Sequence, residues 1–209
     1  MEEAASLPLA YPETAVVEED SLPEQSLAVA AQLPQRPLVL GGCCCAHIGA
    51  VEALAARHQR LAVVWVDAHG DLNTPATSPS GDLWGMPLRT LLDGGIVGLT
   101  DVALVGARNL DPGEEAFIAE NRLPTGPEVV DAVLADADAA YVALDADALD
   151  EREVTSFMPE PGGLRLDEAE GLFGHVAATV PVAGAGISGL APDAANCEPL
   201  ERLCRALGL

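Results

Sequence analysis

Residues 61–75 read LAVVWVDAHGDLNTP, and the change of character inside that stretch decides the fold. Leu61 to Val66 is an unbroken apolar run, the pattern of a strand buried on both faces. Asp67, His69 and Asp71 then recur at every second position. Alternate side chains of an extended chain share one face, so two carboxylates and an imidazole can converge just beyond the strand's end. A second apolar run, AAYVALD at 139–145, repeats the device: it closes on Asp145, with Asp147 two residues further on.

Outward from these two runs, further strands are expected at Pro37–Gly42, Asp101–Ala107 and Val180–Ile187, with a short one near Thr14–Val17. Helices are expected at Glu24–Gln32, Ala46–Arg57, Gly85–Leu92, Pro112–Glu120, Pro127–Ala135, Leu166–Thr179 and Ala195–Leu207. Thr74–Gly81 reads as a loop. Apolar strands alternating with helices specify an α/β fold with a parallel sheet covered on both faces. Such sheets bind ligands beyond the carboxyl ends of their strands, which is where the acidic residues fall. At 209 residues one domain is expected, spanning 36–209, after an acidic, poorly defined, Pro-bearing segment at 1–35.

Hydrophobic residues make up 49% of the chain and aromatics 3%, so the core must be built from Ala, Val and Leu. Ten Lys+Arg face 33 Asp+Glu, a formal charge of −23. A surface that negative repels phosphate backbones and anionic lipid, which argues against nucleic acid and membrane as partners. A small cationic substrate or a metal ion fits the sign; the plainer alternative is that the charge only keeps the chain soluble. Cys43, Cys44, Cys45, Cys197 and Cys204 make a poor disulfide framework, and no secretory signal or membrane span is visible. A cytoplasmic setting is therefore expected. Cys197 and Cys204 share a helix face and read as buried; Met86 and Met158 read as core. Arg57, Arg60 and Arg108 read as solvated or paired surface charges.

Four carboxylates and an imidazole at adjacent strand ends repel one another unless protons or cations intervene. No Lys or Arg lies within either cluster; Arg108 and Arg152 are the nearest. Hard oxygen ligands with one nitrogen suit Mn²⁺ over copper or an iron–sulfur cluster. Two such ions sharing carboxylates would lower the pKa of a bound water. The rival reading, an acidic turn and a helix start, requires both clusters to close apolar strands by coincidence.

DAHGDLNTP, followed by SPSG and GMPL, resembles the signature of the arginase, agmatinase and formimidoylglutamase (ureohydrolase) family. LDADALD with MPEPGGL resembles it too, and GARNLDPGEE is similar to the family segment that meets the substrate's amino-acid end. The similar runs are in family order over about residues 38–192. The resemblance implies a three-layer α/β/α sandwich with a mostly parallel sheet, of the arginase-deacetylase type. It implies hydrolysis of a C–N bond in a guanidino or amidine compound, by a hydroxide bridging two Mn²⁺ ions. By position Asp67 and Asp145 would bridge the metals, Asp71 would bind the first, and His69 and Asp147 the second. Asp67, His69 and Asp71 are the candidate catalytic residues. Asn73, Ser80, Asp111 and Glu114 match substrate-side positions, with Asp82 as a further pocket acid. Family members form trimers or hexamers, so a homo-oligomer is implied.

The chain also departs from the family pattern, and it is short, with the deficit ahead of residue 38. Cys44 stands where the family's Gly-Gly-Asp-His-Ser turn carries a metal-binding His. A thiolate ligand would tilt the site toward Zn²⁺ or Fe²⁺, whereas a packing cysteine would bind nothing. His47, one turn on, is expected to lie on the helix surface. Trp84 replaces a proton-shuttling His, and Gly189 replaces a Glu that holds the guanidinium. Two alternatives therefore stand beside the binuclear hydrolase. One is a mononuclear zinc amide hydrolase, since Asp67, His69 and Asp145 resemble a deacetylase-type zinc site. The other is a degenerate family member that binds metal or a partner without catalysis.

Overall fold

The computed structural model describes residue 4 and residues 6–209. Five strands form one sheet: β1 (Leu38–Leu40), β2 (Leu61–Val66), β3 (Val102–Val105), β4 (Ala139–Asp145) and β5 (Val182–Ser188). Their order is β1-β5-β4-β2-β3, and every neighbouring pair is parallel. The sheet is thus wholly rather than mostly parallel, as continuous apolar strands joined by helical crossovers require.

The helices are α1 (Leu22–Gln32), α2 (Ala46–Ala55), α3 (Pro87–Asp93), α4 (Pro112–Asn121), α5 (Val130–Leu134), α6 (Leu166–Thr179) and α7 (Cys197–Ala206). They divide between the two faces as the alternation along each strand dictates. Ala62, Val64 and Val66 of β2 join Val142 and Leu144 of β4 in a core with Val133, Phe173 and Leu203 from α5, α6 and α7. Leu61, Val63 and Trp65 join Tyr141 and Ala143 in a second core with Val51 and Leu54 of α2 and Leu88 and Leu91 of α3. Each valine or leucine taken fully out of water contributes about 1.5–3 kcal/mol. A core of small aliphatics therefore suffices, with Trp65, Tyr141 and Phe173 as its few large rings.

From β2 the chain crosses through α3 to β3 on one side; from β4 it crosses through α6 to β5 on the other. The direction of winding reverses between β2 and β4, which opens a crevice at their carboxyl ends. Val66 stands beside Leu144 and Asp145 beside Ser188, so the tips of β2, β4 and β5 lie abreast. The two acidic clusters begin there.

Several boundaries move for identifiable reasons. Ser21 caps α1 by accepting from the Glu24 backbone N–H, and Pro23 suits the first turn, so α1 begins at Leu22. The α3 helix begins only at Pro87, after a 3₁₀ turn at Leu83–Gly85. Residues 127–129 and 194–196 are likewise 3₁₀ turns ahead of α5 and α7. No strand forms at Thr14–Val17: Val16 is exposed, and the Val17 carbonyl accepts from the Gln25 side chain of α1 instead of a ladder partner. Leu7, Leu9 and Tyr11 pack against the α5–α7 core, so part of the segment expected to be poorly defined is anchored.

Candidate metal centre

The convergence foreseen at β2 is real, but an extended chain does not produce it. The backbone bends at Ala68–His69, and Asp71 sits in the left-handed region at φ 53°. That conformation costs a non-glycine residue roughly 1–2 kcal/mol, strain of the kind that collects at functional sites. The bend is held from several sides. The Asp67 carboxylate accepts from the His69 backbone N–H at 2.8 Å, and Asp147 accepts from the Ala68 N–H at 3.1 Å. The Arg108 and Asn109 N–H groups both donate to the Ala68 carbonyl. On β4, Asp145 caps a 3₁₀ turn at Ala146–Ala148 by accepting from the Asp147 N–H at 3.1 Å.

Among the described residues two groups of side chains bring ligand atoms within 4.8 Å of one another. One is Cys44, Asp67 and Asp71; the other is Asp67, His69 and Asp147. Asp67 belongs to both. Asp145 lies on the Cys44 side: its Oδ2 is 3.2 Å from the Cys44 sulfur and accepts from the Ser188 hydroxyl at 2.9 Å. The five strand-end ligands expected from the sequence and Cys44 are thus together, with Asp145 outside the two tight groups.

The electrostatics match a cation site. Burial and the neighbouring Asp67 and Asp145 carboxylates push the Asp71 carboxyl well above the usual range. Burial and Asp147 raise Asp145, and burial raises Asp147. The Cys44 thiol is raised by burial and the surrounding carboxylates. Asp71 Oδ2 is buried with no hydrogen-bond partner among the described residues. Buried carboxylates crowded together with an orphaned oxygen are what a divalent cation neutralises, so this donor set fits one. His69 presents Nδ1 inward, 3.1 Å from Asp147 and 3.5 Å from Asp67, and these carboxylates lift its pKa to about 11. Its Nε2 faces Asn109 at 3.4 Å and Glu160 at 3.6 Å, which fix the ring from behind, as outer partners of a metal-bound imidazole do.

The groups open into a cavity of about 340 Å³ with no Lys or Arg in its lining. Asn73, Ser80, Asp82, Asp111 and Glu114 line it as expected. Asn73 donates to Asp111 at 2.7 Å, bracing one wall. Glu114 serves the fold rather than standing free for a substrate: its oxygens accept from the Leu72 and Asp111 N–H groups at 3.0 Å each.

Other expectations are corrected. His47 is fully buried, because α2 turns it inward against Tyr141 and Ser188. Arg108 is no solvated charge; its guanidinium donates to the Pro161, Gly106, Asp147 and Glu160 carbonyls. Met158 is 46% exposed and lines the cavity mouth with Trp84 and Phe157, whereas Met86 is core. Cys204 is buried and Cys197 only partly so. The sequence reading missed Ser188, Asn109 and Glu160. Ser188 had one signal, a polar residue closing the otherwise apolar β5.

A profile of the arginase family matches residues 7–199. Arginase from Staphylococcus aureus (strain MRSA252) is 37% identical over 142 residues, covering 56% of this chain and 47% of that protein. Arginase from Bacillus caldovelox is 35% identical over 176 residues, covering 70% of this chain and 59% of its own length. The crystal structure of Bacillus caldovelox arginase superposes with a TM-score of 0.79 at 29% identity, covering 96% of this chain and 82% of that one. The chain thus spans about half the length of the curated relatives it matches. With its sheet order, its paired acidic strand ends and a profile match over nearly its whole length, the chain belongs to the arginase family.

Proposed function

We propose that this chain hydrolyses a C–N bond in a small guanidino or amidine compound with the help of divalent cations. One observation carries the reading: two ligand groups share Asp67 at the floor of an acidic cavity, and Asp71 Oδ2 has no partner among the described residues. Family membership supports the same reaction class. Cys44 and Asp71 would hold one cation, His69 and Asp147 the other, with Asp67 between them and Asp145 beside the first. Oxygen ligands favour Mn²⁺; the Cys44 sulfur moves the first position toward Zn²⁺ or Fe²⁺. Bound there, the cations supply an acidified water at neutral pH and Lewis-acid polarisation of the substrate.

The protein's own groups do the rest. Asp82, Asp111 and the acidic floor attract a cation, and no basic side chain in the lining competes with it. Asn73, Asp111 and Ser80 offer hydrogen bonds to its far end. Trp84, Phe157 and Met158 provide apolar cover at the mouth, which strengthens the electrostatics within. Gly189 offers no carboxylate at the rim. A Cβ there would lie 2.3 Å from Asp145 Oδ1, so an acidic side chain at this position is incompatible with the observed Asp145. A guanidine or amidine other than arginine is therefore the better substrate class. The setting we propose is a cytoplasmic homo-oligomer; no helix among the described residues is long and apolar enough to cross a membrane.

The mononuclear zinc reading, expected on Asp67, His69 and Asp145, is not matched by the grouping, which puts His69 and Asp145 on opposite sides of Asp67; the buried Cys44 sulfur is what still speaks for zinc. Metal analysis of the purified protein separates the two. Two Mn²⁺ per chain, with urea or ammonia released from a panel of guanidino and amidine compounds, is the expected result. Asp67→Ala should abolish both binding and release. One Zn²⁺ per chain would favour the alternative. No bound metal, together with unchanged folding in chelator, would overturn both.

A further inference from the structure

Behind the cation site lies a row of buried polar groups that the reaction does not use. Tyr141 Oη is 3.1 Å from His47 Nδ1, and His47 Nε2 is 3.3 Å from Ser188 Oγ. Ser188 Oγ is 2.9 Å from Asp145 Oδ2 and 3.0 Å from the Cys44 sulfur. His47 and Ser188 have no exposed surface, and Tyr141 has none either. None of the three lines the cavity. Space is made for them specifically: a Cβ on Gly186 would lie 2.3 Å from both His47 Nδ1 and Tyr141 Oη. Trp65 closes one side, edge-on to the His47 ring at 5.4 Å between centroids, and donates to Asp67 Oδ2 at 3.3 Å.

Buried polar side chains are costly unless paired, and here the pairing runs in one direction. As a cation-bound carboxylate Asp145 can only accept, so Ser188 donates to it. The Ser188 oxygen is then free to accept from His47 Nε2–H, and His47 Nδ1 in turn accepts from the Tyr141 hydroxyl. Burial holds the imidazole neutral, with its pKa near 3, so it orders its neighbours as a fixed donor and moves no proton.

We propose that His47 is a positioning residue that acts through the Ser188 hydroxyl to hold Asp145 and Cys44 as ligands on the Cys44 side of the cation site. The inference rests on reading that site as a cation site. Polar partners behind first ligands of this kind typically govern metal affinity by 10- to 100-fold. His47 on α2, Tyr141 on β4 and Ser188 on β5 link three elements into one support, so the ligand side chains meet a cation already oriented.

The test uses the full chain and Co²⁺, followed by chelator competition and by the thiolate-to-cobalt charge-transfer band. Ser188→Ala removes a single oxygen. It should weaken one Co²⁺ per chain about tenfold or more and diminish the charge-transfer band while leaving the second ion nearly unchanged, and the unpaired His47 Nε2–H should lower the chelator-treated melting temperature by only several degrees, the chain remaining folded. His47→Asn keeps a polar atom near Nδ1 but none near Nε2, and should match Ser188→Ala. His47→Gln keeps a donor near Nε2 and should restore most of the affinity. The double variant His47→Asn/Ser188→Ala should be no weaker than either single one. If both single variants bind Co²⁺ like the parent, or if His47→Gln is as weak as His47→Asn, the positioning role is wrong while the cation site stands. If the parent chain binds no Co²⁺ and no Mn²⁺, the site reading falls and the role falls with it.

Discussion

At the scale of single residues, Gly189 shows how a small side chain can serve a charged one. Its φ is 71°, a conformation that costs other residues roughly 1–2 kcal/mol. Space forbids a side chain as well, since a Cβ would lie 2.3 Å from Asp145 Oδ1. Gly189→Ala should therefore cost about 2 kcal/mol in urea unfolding, twist Asp145 out of place and lower metal occupancy. Unchanged metal content in that variant would show that Asp145 tolerates displacement. Cys44 permits a sharper contrast. Its sulfur lies 3.6 Å from Asp67, 3.2 Å from Asp145 and 3.0 Å from Ser188, so it faces polar groups of the site while also packing into the core beneath. Cys44→Ser should weaken the Cys44–Asp71 position tenfold or more and spare the His69–Asp147 position. Equal occupancy at both positions would reduce Cys44 to packing.

At the scale of elements, the loop carrying Asp71 is fastened to the start of α4. Glu114 accepts from the Leu72 N–H in that loop and from the Asp111 N–H at the helix's own cap. Its carboxylate also lies under Gly70, where a Cβ would come within 2.9 Å of Oε1. Glu114→Ala leaves the buried Leu72 N–H without a partner, which should cost about 1–3 kcal/mol of stability in chelator. It should also loosen the Asp71 side of the site more than the His69 side; a cost below about 0.5 kcal/mol in denaturant melts would contradict the fastening. Glu114→Gln keeps one acceptor and should lose roughly half as much. This link shows where sequence reading stops. The strands carrying Asp67 and Asp145 were legible because apolar runs ending in carboxylates depend only on local order. The roles of Glu114, Arg108 and Ser188 were not, because their partners stand 42, 52 and 43 residues away. Period-two spacing pointed to residues that do converge, but through the wrong geometry: a bend and a left-handed Asp71, not an extended run, gather them. His47 was misplaced for a related reason. A lone histidine among apolar helix residues shows which face it occupies only when the strands beneath are known to offer Tyr141 and Ser188.

At the scale of the whole molecule, the sheet itself is well supported, and the electrostatic burden falls at one end of it. Cores on both faces are continuous and apolar, whereas the carboxyl ends of β1, β2 and β4 carry a thiol, four carboxylates and one imidazole. Burial and mutual repulsion raise the Asp71 carboxyl, and Asp147 and Asp67 raise the His69 imidazole. A cation that binds the folded chain and not the unfolded one stabilises it by mass action, about 2.7 kcal/mol at a hundredfold excess over Kd. For a chain of this size each kcal/mol moves the melting temperature by about 2–4 °C. Saturating Mn²⁺ should therefore raise Tm by roughly 5–10 °C over protein in chelator, with far-ultraviolet circular dichroism unchanged. Asp67→Ala should erase most of that rise, since Asp67 is common to both ligand groups. Asp82→Ala, on the exposed rim, should leave it intact. A Tm indifferent to Mn²⁺ in the parent chain, or one raised equally in Asp67→Ala, would mean that the strand-end carboxylates are not where the ion binds.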